Sequence, residues 1–140
     1  MTKLYNFDSV PVPIGNEFID RLTWYVYLDE IEPLSQSDYI NILNLITDKT
    51  RLIFLANANN PTGTFINKSE VYRLINNIPE NILLVYDAAY AEYIRNDDYI
   101  DGSELVKKYN NVIMLRTFSK LHGLAGLRLG WGYSNSKIIN

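Results

Sequence analysis

The sequence contains no cysteine and only one histidine, His122, among its 140 residues. These shortages exclude disulfide frameworks, cysteine nucleophiles and metal sites built from thiolates or paired histidines. The lack of cysteine also favours a reducing compartment, and we expect a cytoplasmic protein. An excess of one charge is missing too, because 13 basic and 16 acidic side chains give a formal net charge of −3. Without a basic surface, nucleic acid is not an expected partner.

Long hydrophobic runs are absent as well. The best apolar run, Leu52–Ala56, is far shorter than the roughly 20 residues that a membrane-spanning helix needs. The N-terminal residues lack the apolar stretch of a secretory signal, and no membrane partner is expected. The chain is 47% hydrophobic and 21% charged, which is typical of one globular domain large enough to bury a core.

Three short apolar runs predict the strands of a parallel sheet. They are almost free of polar residues, as expected for strands covered on both faces: Leu52–Ala56, Ile82–Tyr86 and Val112–Arg116. Apolar residues at helical spacing predict one helix before these runs and one between each pair of them. They are a short helix capped by Ser37, a helix that follows Asn67 and ends at Pro79, and a short helix over Glu104–Tyr109. This alternation predicts an α/β fold with a mostly parallel sheet flanked by helices. Residues 1–36 show no clear period and form a poorly assigned N-terminal segment.

Polar residues that are able to bind a ligand or take part in catalysis follow each of the three runs. Ligands of open α/β sheets bind beyond the carboxyl ends of the strands, so we expect these residues to meet at one edge: Asn60, Asp87, Tyr90, Thr117, Ser119, Lys120 and Arg128. Taken singly, each also has a plain structural interpretation. A lysine or arginine is most often a surface group, an aspartate or hydroxyl is often a loop or helix cap, and a tyrosine often packs.

These segments resemble the signature of fold-type I pyridoxal-phosphate-dependent aminotransferases of the class I/II superfamily, most closely histidinol-phosphate aminotransferases. Three motifs occur in the family's order: Asn60-Pro61-Thr62-Gly63, Asp87-Ala88-Ala89-Tyr90, and Arg116-Thr117-Phe118-Ser119-Lys120 followed by Gly123-Leu124-Ala125-Gly126-Leu127-Arg128-Leu129-Gly130. The intervals from Asn60 to Asp87, from Asp87 to Tyr90 and from Lys120 to Arg128 also agree with the family's. The resemblance covers about Tyr39 to Ser134. It implies that residues 37–140 are part of the family's large cofactor-binding domain and that the small domain is absent. The stretch from Asp87 to Lys120 is slightly longer than in the family, which predicts a surface insertion at Asn96 to Ser103.

The resemblance also implies pyridoxal 5′-phosphate as the cofactor, with no metal. Lys120 would be the catalytic residue, because its amine bonds the cofactor aldehyde and then moves a proton at the substrate Cα. The other six residues would bind the cofactor: Asp87 its pyridine nitrogen, Asn60 and Tyr90 its phenolic oxygen, and Thr117, Ser119 and Arg128 its phosphate.

Two functions remain open at this point. One is an aminotransferase that moves an amino group between an amino acid, or an amino phosphate ester such as histidinol phosphate, and a 2-oxo acid. The other is a truncated or degenerate remnant that at most binds pyridoxal phosphate. The family suggests a homodimer, and a complementary fragment that supplies the missing domain is a further expected partner. In the family, the small domain carries the arginine that holds the substrate carboxylate, so the 140-residue chain alone is not expected to transaminate.

Overall fold

The structure is a computed structural model that describes residues 42–60 and 63–139. Its centre is one sheet of four strands in the order β1-β2-β3-β4: β1 (Leu52–Ala56), β2 (Leu83–Asp87), β3 (Val112–Thr117) and β4 (Gly130–Tyr133). The first three strands are parallel neighbours, with Leu52 opposite Leu83 and Leu84 opposite Val112. β4 pairs antiparallel to β3.

Besides the helical residues 42–44, the described ranges contain three helices and two single turns. The α-helices are α1 (Lys68–Asn77), α2 (Ser103–Lys108) and α3 (Ser136–Ile139), and 3-10 turns occupy Ala91–Tyr93 and Ala125–Leu127. α1 begins at Asn67, whose side chain accepts a hydrogen bond from the Glu70 amide as the capping pattern predicts. No helix within residues 42–60 and 63–139 is long and apolar enough to cross a bilayer.

The core lies against the sheet and consists mainly of aliphatic side chains from strands and helices. Ile53 and Leu55 of β1 are buried, as are Val71, Leu74 and Ile75 of α1. α2 contributes Leu105 and Val106 to the same cluster. The core therefore anchors the strands while their carboxyl ends remain available for polar residues.

The predicted α/β fold is confirmed, with element bounds that differ by about one residue. The predicted helix after Ser37 lies mostly outside the described residues. Its described part is helical at residues 42–44. β4 was not predicted, because Gly130-Trp131-Gly132-Tyr133 has neither an apolar run nor a buried face.

Only the first half of the segment Asn96 to Ser103, where a surface insertion was predicted, lies at the surface. Asn96 to Asp98 are exposed, but Ile100 is buried and its carbonyl accepts a hydrogen bond from the Tyr86 hydroxyl at 2.6 Å. Gly102 is buried as well, and a Cβ there would lie 2.7 Å from the Tyr86 ring. Gly102 also has a φ of +90°, which favours glycine. The second half of this segment is therefore part of the core.

Candidate active site

A pocket of about 630 Å³ opens at the carboxyl ends of β1, β2 and β3. The structure brings all seven candidate residues into its lining: Asn60, Asp87, Tyr90, Thr117, Ser119, Lys120 and Arg128. The cause is the parallel order of the strands, because Ala56, Asp87 and Thr117 end three adjacent strands at the same edge. Trp131 of β4 also lines the pocket, and the sequence pattern did not single it out.

Asn60, Tyr90 and Lys120 form one side of the pocket. Asn60 Nδ2 donates a hydrogen bond of 3.0 Å to Tyr90 Oη, across 30 residues of sequence. Lys120 Nζ lies over the Tyr90 ring, 5.0 Å from its centroid. A cation in this position is attracted by the face of the ring. Tyr90 therefore links the loop after β1 to the Lys120 amine after β3.

Asp87 is partly buried at the end of β2. Its Oδ1 accepts a hydrogen bond of 3.0 Å from the Ala89 amide, which is the local cap that an isolated aspartate would also make. Burial raises the pKa of Asp87, although the Ala89 bond and the Lys120 charge act in the opposite direction. A cationic N–H group placed against this carboxyl would favour its ionised form.

Thr117, Ser119 and Arg128 supply donors for an anion. Thr117 Oγ1 accepts a hydrogen bond of 3.0 Å from the Ser119 amide, so it is a loop cap. Because a hydroxyl can accept and donate at once, both hydroxyl protons remain able to bind an anion. Arg128 Nη1 donates to the Ala125 carbonyl at 3.1 Å. That single bond leaves most of the guanidinium donors for a ligand.

The loop between β3 and β4 carries Lys120 and Arg128. Two backbone hydrogen bonds close it, from the Phe118 amide to the Leu129 carbonyl at 3.1 Å and from the Leu124 amide to the Phe118 carbonyl at 3.0 Å. The loop returns to β3 at a very close approach, because a Cβ on Gly130 would lie 2.7 Å from the Arg116 carbonyl oxygen.

Sequence reasoning missed two groups of residues around the pocket. Arg116 pairs with Glu92 and Asp101 from two other segments. Asn57 is fully buried and bonds both backbone groups of Ile66, so it closes the loop that carries Asn60. The one available signal in the sequence was the position of Arg116, a charged residue at the end of an apolar run. Within the described ranges, no cluster of three histidine or carboxylate side chains could hold a metal ion.

Comparisons with known proteins add an independent line of evidence. The family described as "Aminotransferase class I and II" matches residues 20–140 of the chain. The histidinol-phosphate aminotransferase of Maricaulis maris (strain MCS10) is 55% identical over 105 residues, which are 75% of this chain and 29% of that protein. The chain thus spans far less than two thirds of the length of this curated relative.

The solved structures that share the fold include two histidinol-phosphate aminotransferases. The histidinol-phosphate aminotransferase from Sinorhizobium meliloti, in complex with pyridoxal-5′-phosphate, matches with a TM-score of 0.63 and 36% identity over 74% of this chain and 29% of that chain. The histidinol-phosphate aminotransferase from Clostridium acetobutylicum matches with a TM-score of 0.62 and 28% identity over 73% of this chain and 30% of that chain.

Proposed function

Since the chain belongs to the aminotransferase class I and II family, we propose that it forms the cofactor-binding part of an aminotransferase. The proposed enzyme moves an amino group between an amino acid, or an amino phosphate ester such as histidinol phosphate, and a 2-oxo acid. The observation that carries this proposal is the pocket at the strand ends. A lysine amine, a partly buried carboxyl and three residues that can donate hydrogen bonds to an anion lie together there.

The cofactor of this family is pyridoxal 5′-phosphate, and the donor set of the pocket fits it. The group has three features to satisfy, which are an aldehyde, a ring nitrogen that must carry a proton, and a phosphate. The pocket offers an amine for the first, a carboxyl whose burial favours a cationic N–H neighbour for the second, and two hydroxyls with a guanidinium for the third.

Each residue is proposed to act on one of these features. When bound, pyridoxal 5′-phosphate withdraws electrons from the substrate Cα. Asp87 would hold the proton on the ring nitrogen, because an adjacent carboxylate raises the proton affinity of that atom. Asn60 and Tyr90 would bind the phenolic oxygen through the pair that they already form. Thr117, Ser119 and Arg128 would fix the phosphate.

Lys120 has the catalytic role in this proposal. Its amine would bond the cofactor aldehyde and, once displaced by an amino substrate, would carry the proton from the substrate Cα to the cofactor C4′. Its side chain is exposed at the mouth of the pocket, where a substrate can reach it. The Tyr90 ring lies below the amine and limits the directions that Lys120 can take.

The substrate and partners belong to the same proposal. Histidinol phosphate as amino donor is supported by the name of the Maricaulis maris relative, which is 55% identical. Residues 37–140 would form part of the large domain, while a homodimer partner and a complementary polypeptide would supply the groups that hold the substrate.

The proposal is tested by trapping the cofactor on the chain. Pyridoxal 5′-phosphate is added to the purified chain, borohydride fixes the bond, and peptide mapping locates the pyridoxyl group. We expect it on Lys120, with no trapping in Lys120→Ala and normal trapping in the matched control Lys107→Ala, which removes an exposed lysine of α2. A pyridoxyl group spread over other lysines, or unchanged labelling of Lys120→Ala, would refute the site.

A further inference from the structure

Arg116 makes two ion pairs beside the candidate site that the proposed chemistry does not use. Its Nη1 lies 2.7 Å from Glu92 Oε1, and its Nη2 lies 2.8 Å from Asp101 Oδ2. The arginine side chain is only 10% exposed, and it stands in β3 directly before Thr117. A planar guanidinium presents its donors in a rigid fork, so an arginine that bridges two carboxylates fixes the direction of both.

Glu92 connects this arginine to the segment that carries Tyr90. It is the middle residue of the 3-10 turn Ala91–Tyr93, which starts directly after Tyr90. Within this turn, the Tyr93 amide donates to the Tyr90 carbonyl at 3.0 Å. The ion pair thus ties the centre of this turn to β3, two residues after Tyr90.

Asp101 connects the same arginine to the start of α2. Its Oδ1 accepts hydrogen bonds from the Ser103 amide at 2.9 Å and from the Ser103 hydroxyl at 2.7 Å. Burial opposes ionisation of Asp101, but these bonds and the Arg116 charge prevail and lower its pKa. The charged form of Asp101 is thus held in place, and Arg116 has two fixed anchors in segments outside β3.

We propose that Arg116 is a positioning residue of the candidate active site. Through Glu92 it holds Tyr90 in the direction in which the Tyr90 hydroxyl meets Asn60 and the Tyr90 ring meets Lys120. The inference rests on the proposed function, because Tyr90 matters here as a cofactor ligand. We call the ion pairs of Arg116 with Glu92 and Asp101 the clamp. The clamp is a property of the chain without cofactor, so it can be tested separately.

The first test measures amide hydrogen exchange in the cofactor-free chain. Arg116→Lys replaces the fork by a point charge, and Glu92→Gln removes one carboxylate at constant size. We expect the amides of the 3-10 turn and of Ile94 to exchange about tenfold faster in both variants, because their opening no longer breaks an ion pair. The matched control is Glu104→Gln, which breaks an exposed ion pair of 2.9 Å with Lys68.

Each result of this test decides whether the clamp restrains the Tyr90 segment. Faster exchange in Arg116→Lys and Glu92→Gln but not in Glu104→Gln supports it. If Arg116→Lys does not fold, Glu92→Gln carries the test alone. Unchanged exchange in Glu92→Gln would overturn the proposal, and so would a loss of folding in both variants, since the ion pairs would then serve overall stability.

The second test asks whether the clamp acts through Tyr90. The absorbance of bound pyridoxal 5′-phosphate is titrated with pH in the wild-type chain, Tyr90→Phe, Glu92→Gln and the combined variant. Tyr90→Phe should raise the apparent pKa of the chromophore, because it removes a donor to the phenolic oxygen. Glu92→Gln should shift this pKa in the same direction and add nothing in the Tyr90→Phe background.

The two proposals fail in different ways. Shifts that add in the combined variant would overturn a role of Arg116 and Glu92 through Tyr90, while the cofactor site would stand. A wild-type chain that does not bind the cofactor would refute the proposed function, and the exchange rates would still decide whether Arg116 holds the Tyr90 segment.

Discussion

Asn57 and Tyr86 share a hydrogen bond of 2.7 Å in the interior, although 29 residues separate them. Both residues are fully buried. The Tyr86 hydroxyl donates onward to the Ile100 carbonyl at 2.6 Å, while the Asn57 amide closes the loop that carries Asn60. One hydroxyl therefore joins β2, the loop after β1 and the segment before α2. Each of these three segments borders or supports the candidate site.

Tyr86→Phe should destabilise the chain by about 1–3 kcal/mol, because it leaves the Ile100 carbonyl and one Asn57 amide proton without a partner in the core. Urea denaturation of the 140-residue chain measures this difference. The control is Tyr109→Phe, which removes a hydrogen bond of 2.7 Å to Asn76 at an exposed position. Equal effects of the two variants would contradict the importance of burial.

Asp87→Asn should raise the stability of the cofactor-free chain at neutral pH. Burial raises the folded-state pKa of Asp87 above that of the unfolded chain. The contribution of this carboxyl to stability is therefore fully present below the unfolded pKa and is lost as pH rises through the folded pKa. Asparagine keeps the acceptor for the Ala89 amide but carries no charge.

Thermal unfolding of wild type and Asp87→Asn across pH checks the sign of this effect. The stability gap should be largest near neutral pH and should close in acid, where wild-type Asp87 is protonated. A less stable Asp87→Asn chain at neutral pH would mean that the Ala89 bond and the Lys120 charge outweigh burial. In an assembled enzyme, the same variant should slow the step at the substrate Cα by orders of magnitude while phosphate binding persists.

Gly130→Ala should displace the loop between β3 and β4 where it meets β3, and it should destabilise the chain by about 1–3 kcal/mol. The added Cβ would lie 2.7 Å from the Arg116 carbonyl oxygen, which is backbone and cannot move aside easily. Gly126→Ala is the matched control, since a Cβ there has no neighbour within 4 Å among the described residues. We expect its effect to stay within about 0.5 kcal/mol. Similar losses in both variants by urea denaturation would contradict the close approach.

The isolated 140-residue chain should show no measurable transamination. Residues 120–133 are all exposed, so water reaches the amine of Lys120 and the pocket cannot hold a substrate Cα–H in one direction. The half-reaction is assayed by the absorbance change of pyridoxal 5′-phosphate with histidinol phosphate, aspartate, phenylalanine and alanine as donors. A saturable change with any donor that Lys120→Ala abolishes would overturn this prediction.

The strands and the convergence of the candidate residues follow from local features of the sequence. β1 to β3 are continuous apolar runs, which is how strands buried on both faces appear. Asn67 followed by Glu70 predicts the start of α1 because the cap needs only nearby residues. Once these strands run parallel, the residues that follow Ala56, Asp87 and Thr117 must share an edge.

The rest depends on contacts between distant segments. β4 carries two glycines and no buried side chain, so it forms a strand because β3 offers a free edge rather than because of its own pattern. Arg116 was recognised only as part of a motif, since nothing near it in sequence indicates pairs with Glu92 and Asp101. The burial of Ile100 could not be predicted either, because its side chain joins a core built from strands and helices distant in sequence.

The spatial order of the described strands is also their order along the chain. During synthesis, each strand therefore emerges next to a neighbour that has already been made, and none has to wait for a later segment to fill a gap between earlier ones. Asn60 and Tyr90 can pair while Lys120 is still inside the ribosome. Lys120 and Arg128 then follow together, on a loop whose two ends are adjacent antiparallel strands. A nascent chain of this design can form the Asn60–Tyr90 side of the pocket before the lysine and the residues of the β3–β4 loop are added.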